Sequence, residues 1–243
     1  MATSERKKRE FAQREGLIIE TARKLLVDVG YIDLNMDRIA ELTEYSKGTI
    51  YQHFSCKEEI LVQMLTESVQ AVGKFLTRGA QFNGNPRERM AAITIGWDLF
   101  IQLNPDHFKS RLLLQNETIR TKASPALQKN LEKAEQNNMA IVSGVLREGV
   151  LQGHVQLREG VTPEEVSFGL WTGALGAYVL MSYEVNLQAL GISKPRKAVW
   201  DNMHALLDGF GWHPLYHELN WEDTRSRILK EVFPEESNKM GES

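Results

Sequence analysis

The chain has 243 residues, 42% hydrophobic and 25% charged, the balance of an ordinary globular protein with room for two small domains or one large one. No apolar run reaches the length of a membrane span, and the charged N-terminus has no apolar core behind it, so no membrane partner and a cytoplasmic location are expected. The single cysteine, Cys56, excludes an intrachain disulfide and argues against a structural zinc site, while a net charge of −3 leaves nucleic acid open, because a basic footprint need only be local.

Residues 1–14 supply such a footprint. Arg6, Lys7, Lys8, Arg9 and Arg14 stand against Glu5 and Glu10, five basic side chains to two acidic, net +3. Met1 to Arg9 reads as a flexible basic arm. Phe11, Ile18, Ala22, Leu25 and Val29 then share one helical face, which predicts a helix that Gly30 stops.

Two short helices follow. Asn35 is a good N-cap, and Met36, Ile39 and Ala40 lie on one face behind it. Thr43-Glu44-Tyr45 breaks the pattern, and Ser46 caps a second helix in which Ile50 and Phe54 face inward. Lys47, Thr49, Gln52 and His53 point elsewhere, with Tyr51 beside them. Two helices, a turn of about four residues and an outward polar face make a helix-turn-helix, whose second helix enters the DNA major groove. Tyr45, Lys47, Thr49 and Gln52 suit base edges or flanking phosphates, and Gly48 permits close backbone approach. Ser55-Cys56-Lys57-Glu58 fits a capping box, so a further helix starts there, with Lys57 and free amides placed to hold a phosphate. Cys56 in that positive spot is conceivable as a redox sensor, but a small tolerated residue is the simpler reading.

The rest of the chain is helical to about Phe233. Asn83-Gly84-Asn85-Pro86 is a breaker, and Ser124-Pro125, Thr162-Pro163-Glu164-Glu165 and Lys194-Pro195 open helices. There is no useful strand-like alternation and no internal repeat. The expected fold is all-α, closed by a disordered polar tail at 234–243. A small-residue stripe, Gly169, Gly173, Gly176 and Ala177, suits close helix packing, either within the chain or across a homodimer interface with the Pro195 to Phe210 helix. Of six histidines only His213 and His217 lie four apart, and Pro214 makes that stretch a loop; no nucleophile elbow or phosphate-binding loop is present, so no catalytic residue, metal or cofactor is expected.

The segments Ile39-Ala40, Ser46-Lys47-Gly48-Thr49-Ile50-Tyr51, His53-Phe54 and Lys57-Glu58-Glu59-Ile60 resemble the DNA-binding signature of the TetR family of bacterial transcriptional repressors, over roughly residues 12 to 72. One departure is visible: the family commonly has Ala-Gly at the turn, where this chain has Thr43-Glu44. The resemblance implies a DNA-binding domain at 9–72 and a helical regulatory, ligand-binding and dimerisation domain at 73–233. It implies that Tyr51, His53 and Lys57 contact the DNA backbone, completing a candidate interface with Asn35, Tyr45, Ser46, Lys47, Gly48, Thr49 and Gln52. It further implies a homodimer on a palindromic double-stranded DNA operator, released by a small-molecule effector. Trp97, Phe100, Phe108, Trp171, Tyr178 and Met181 are the candidate pocket walls, with Asp98 and Glu184 able to meet a cationic ligand. The competing reading is a DNA-binding protein of this fold controlled by a protein partner.

Overall fold

The computed structural model describes residues 2–114, 117–183 and 185–241. Among them the chain is all-α with no strand. The helices are α1 (Ala2–Asp33), α2 (Met36–Thr43), α3 (Lys47–His53), α4 (Lys57–Ala80), α5 (Pro86–Leu103), α6 (Pro105–Leu113), α7 (Glu117–Lys122), α8 (Pro125–Leu151), α9 (Pro163–Ser182), α10 (Pro195–Gly209), α11 (Trp221–Glu231) and α12 (Pro234–Met240). A 3-10 turn spans Tyr216–Glu218. Every proline but Pro214 is the first residue of a helix, where its missing amide hydrogen is not needed. Thr162 and Glu165 form a reciprocal capping box on α9. Among the described residues no helix is long and apolar enough to cross a membrane.

The chain divides into two compact units, Met1–Ala71 with Asn104–Glu135, and Val72–Leu103 with Gln136–Ser243. The first unit is larger than the sequence boundary near residue 72 implies, because α6, α7 and the start of α8 belong to it. Their burial explains this. Leu114, Ile119, Ala123, Leu131 and Ala134 share one apolar core with Ile18, Leu26, Ile39, Ile50 and Leu61. A polar chain runs through the same unit. Arg23 of α1, almost fully buried, donates to Ser68 Oγ of α4 at 2.8 Å, and Ser68 Oγ lies 3.0 Å from His107 Nδ1 of α6. Burial, and then Arg23, holds His107 below the ordinary histidine range.

Two details at the N-terminus differ in opposite senses. Gly30 leaves helical geometry at φ 76°, so the regular part of α1 ends at Val29, as its sequence implies. The basic arm, in contrast, is helical from Ala2, with Arg6 and Glu10 paired one turn apart at 2.8 Å.

In the second unit one cluster gathers Leu76, Met90, Leu146, Val166, Leu170 and Trp212. Another seats Trp221, Ile228, Leu229 and Phe233 against Phe82, Ala92, Ile95 and Leu99. The expected disordered tail is corrected here. Residues Pro234–Met240 form α12, with Glu236 and Ser237 buried. Glu236 receives two bonds from the Arg78 guanidinium, at 2.5 and 3.0 Å, and that guanidinium also lies over the Phe233 ring at 4.8 Å. Glu236 is buried although charged because Arg78 pairs with it, a contact the segment's composition does not carry.

Candidate nucleic-acid interface

Local rules build the motif. The Asn35 side chain accepts from the Arg38 amide at 2.9 Å and starts α2. Glu44 ends it in the left-handed region at φ 58°. The Glu44 amide donates to Glu41 O at 3.2 Å and the Tyr45 amide to Ala40 O at 3.1 Å, the two bonds of a Schellman motif. Tyr45 packs on the first-unit core just behind that turn. Ser46 then caps α3, accepting from the Thr49 amide at 3.1 Å, with the two hydroxyls 2.8 Å apart. Ile50 and Phe54 are buried, and they hold α3 against the core through its inner face.

This leaves Ser46, Lys47, Gly48, Tyr51 and Gln52 exposed, with Thr49 half-buried between them. The Gly48 Cα has open space around it apart from its own cap, with the Ser46 hydroxyl 3.8 Å from where a Cβ would lie. Lys47 Nζ is 2.6 Å from Asp37 Oδ2, and both side chains are about two-thirds exposed. A solvent-exposed pair of that kind is worth at most about 1 kcal/mol and exchanges readily for a phosphate. Arg38, in the first turn of α2, is exposed and makes no side-chain bond among the described residues. Sequence reasoning passed over it, although its polar position between Met36 and Ile39 marks it as outward.

His53 and Lys57 are placed differently from the sequence expectation. The His53 side chain is 1% exposed, its ring 3.9 Å from that of Phe11, with Glu15 3.9 Å from Nδ1. A ring so enclosed packs α3 onto α1 and offers no face to a phosphate. Lys57 Nζ donates to Tyr31 O at 2.9 Å and Leu34 O at 2.8 Å and sits 4.2 Å from the centre of the Tyr31 ring. Its charge is thus committed to the carbonyls left open where α1 ends. The capping box also shifts by one residue. Glu59, not Glu58, reaches back, accepting from the Ser55 amide at 2.8 Å. Glu58 is buried, accepting from Tyr31 OH at 2.8 Å and Lys122 Nζ at 3.3 Å. Burial alone would raise the Glu58 carboxyl, but the Tyr31, backbone and Lys122 bonds hold it below the usual range. Tyr31, desolvated and bonded to that carboxylate, is pushed up to about 12. Cys56 is half-buried, its Sγ 4.0 Å from Lys122 O.

The model for bacterial regulatory proteins of the tetR family matches residues 18–64, the span from mid-α1 through both short helices into α4. The DNA-binding domain is of the TetR family. FasR, an HTH-type transcriptional activator of Mycolicibacterium smegmatis, is 28% identical over 107 residues, 44% of this chain and 48% of that one. A fatty acid metabolism regulator protein of Bacillus subtilis is 24% identical over 182 residues, 72% of this chain and 89% of that one. Among solved structures, the fatty acid degradation regulator FadR from Bacillus halodurans aligns with a TM-score of 0.60 at 15% identity, over 79% of this chain and 93% of that one, a likeness of fold. These relatives are named as regulators, and this chain carries a tetR-type DNA-binding helix-turn-helix within residues 18–64.

Of the candidate pocket residues, all but Phe108 lie in the second unit. Trp97 of α5 and Tyr178 of α9 meet edge to face at 4.9 Å, and Tyr178 OH donates to Asp98. Met181 is half-buried one turn on from Tyr178. Phe100, buried on α5, meets the Phe75 ring at 5.4 Å. Phe108 is buried in the first unit, and Trp171 is 38% exposed on the outer face of α9. Glu184 lies outside the described residues. The small stripe is open at its centre: no atom lies within 4 Å of a Cβ placed on Gly173 or Gly176, and at Gly169 the nearest is Leu206 Cδ2 at 3.9 Å. Ala177 is half-buried beside them.

Proposed function

We propose that this regulator is a homodimer that binds a palindromic operator and is released from it by a small-molecule effector. The observation that carries the dimer is the outer face of α9 and α10. Phe168, Leu180 and Leu206 are all more than a third exposed there, beside the uncovered Gly173 and Gly176, with Trp171 at the other margin of the exposed arc of α9. Helix α9 packs on α10. An apolar face of this kind, flat where the glycines lie, suits a second copy of itself. Two recognition helices related by a twofold axis, about 34 Å apart, then read the two halves of a palindrome. A single motif reads too few base pairs to be selective.

In each half-site Lys47, Gly48, Thr49, Tyr51 and Gln52 of α3 meet bases and flanking phosphates, with Asn35, Ser46 and Arg38 at the backbone and Tyr45 supporting the turn. His53 and Lys57 act through packing. In the second unit Trp97, Tyr178, Asp98 and Met181 form the starting point of the effector site. The names of the Bacillus relatives make a fatty acyl compound the first class to test. Release is a population shift, which requires the effector to bind the operator-free state more tightly than the bound one.

Sedimentation and gel mobility test the reading together. The wild type is expected to sediment as a dimer and to give one shifted band on its selected operator. Tyr51→Ala leaves the dimer intact and abolishes the band. Trp171→Glu and Gly173→Leu, placed on the outer face, are expected to yield monomers that fail to shift a single operator. A dimer unaffected by both would refute the interface. Acyl compounds that neither raise the melting temperature nor release DNA would refute the effector class.

A further inference from the structure

We propose that Glu44 sets operator specificity, its carboxylate accepting a hydrogen bond from a cytosine amino group at the edge of the bases that α3 reads. The inference rests on the DNA-binding reading of the motif. Glu44 has the one positive φ among the described non-glycine residues. Its backbone closes α2 through the Glu44–Glu41 and Tyr45–Ala40 bonds, and glycine would make both without crowding a Cβ against the chain. The fold therefore has no need of a side chain here. Nor does it use the one present. The carboxylate is exposed and makes no hydrogen bond or ion pair with the described residues. Of the carboxylates nearby, Asp37 is engaged by Lys47, Glu58 by Tyr31 and Lys122, and Glu59 by the Ser55 amide. The Glu41 carboxylate, exposed in the last turn of α2, is unbonded among the described residues as that of Glu44 is, but Glu41 has ordinary helical backbone. A residue in a disfavoured conformation, with its side chain unused by the fold and standing on a binding surface, points to a ligand.

The chemistry then narrows the ligand. Glu44 lies two residues ahead of the Ser46 cap, and a recognition helix approaches the bases by its N-terminal end. A carboxylate only accepts. Phosphate oxygens repel it, so it is discouraged from every backbone contact. The major groove offers two amino donors, adenine N6 and cytosine N4; adenine sets the acceptor N7 beside its donor, which repels a carboxylate, so cytosine N4 is the donor that suits it. The same repulsion weakens binding to DNA in general, which widens the gap between operator and bulk. A purely structural alternative exists: a carboxylate near the start of α3 favours the helix dipole. That role affects stability and leaves base preference untouched.

Selection from a randomised duplex library at constant salt, using the full-length wild type, Glu44→Gln and Glu44→Gly, separates the two. The wild type is expected to enrich a C·G pair at one position and its symmetry mate. Both variants are expected to lose roughly tenfold of that preference while binding unselected DNA more tightly. Glu44→Gly should also melt at a higher temperature, which shows that the lost preference is not lost folding. An identical selected sequence for all three proteins would overturn the role of Glu44. A wild type that enriches no sequence would overturn the DNA-binding reading along with it.

Discussion

Lys57 and Glu58 are adjacent on the first turn of α4, and each is spent on Tyr31 and one further residue. Lys57 holds the carbonyls of Tyr31 and Leu34, and Glu58 holds the Tyr31 hydroxyl and Lys122. A charged donor to two carbonyls contributes about 1–3 kcal/mol. Lys57→Ala is therefore expected to lower the unfolding free energy by about 1–2 kcal/mol in urea denaturation. A lysine that only touched phosphate would leave the denaturation curve unchanged when removed. Glu44→Gly has the opposite sign. It relieves the Cβ crowding at φ 58° and is expected to raise stability by about 1 kcal/mol. The caps at Asn35, Ser46 and Thr162 were legible in the sequence because each needs only a partner three residues away. The partners of Lys57, Glu58 and His53 lie more than 20 residues off, and no local rule reaches them.

Helices show the same division through their glycines. Gly79 lies where α4 meets α5: a Cβ built on it would come within 2.6 Å of Ile93 N and 2.7 Å of Ala92 O. Those are backbone atoms of a packed helix and they have no room to yield. Gly79→Ala is expected to cost about 1–3 kcal/mol. Gly144, inside α8, has nothing within 4 Å of the same position. There the substitution removes only the entropic penalty of glycine, and Gly144→Ala is expected to stabilise by about 0.5–1 kcal/mol. Thermal unfolding of the two variants, compared under one buffer, checks both signs. In sequence the two glycines are equivalent, each an isolated glycine within a helical pattern. Close approach by another segment makes the difference.

At the scale of the whole molecule, buried ionisable groups set the acid limit. Arg87, fully buried, pairs with Asp208 at 2.6 Å and donates to His204 O at 3.2 Å, and His204 Nδ1 lies 3.3 Å from the same guanidinium. Burial, and then Arg87, pushes His204 down to about 3. The folded protein therefore keeps this ring neutral, while the unfolded chain protonates it near pH 6.5. Its contribution is complete above that value and is lost as the pH falls toward 3, at about 1.4 kcal/mol per pH unit. Glu58 and Glu236, both held below the usual range, add further losses as the pH falls through their lowered values. Stability is expected to fall steeply between pH 6.5 and 4.5, and His204→Gln should flatten that slope. Equilibrium unfolding across the range measures it.

The all-α class, the helix starts at Pro125, Pro163 and Pro195 and at the caps, and the helix-turn-helix between Asn35 and Phe54 were determined by the sequence alone, since periodicity and capping act within a few residues. Only the tertiary structure assigned α6 and α7 to the first unit, enclosed His53, turned Lys57 inward and ordered α12. Each of those outcomes depends on a contact between distant segments, and a residue's own type and neighbours do not say which distant group will satisfy it.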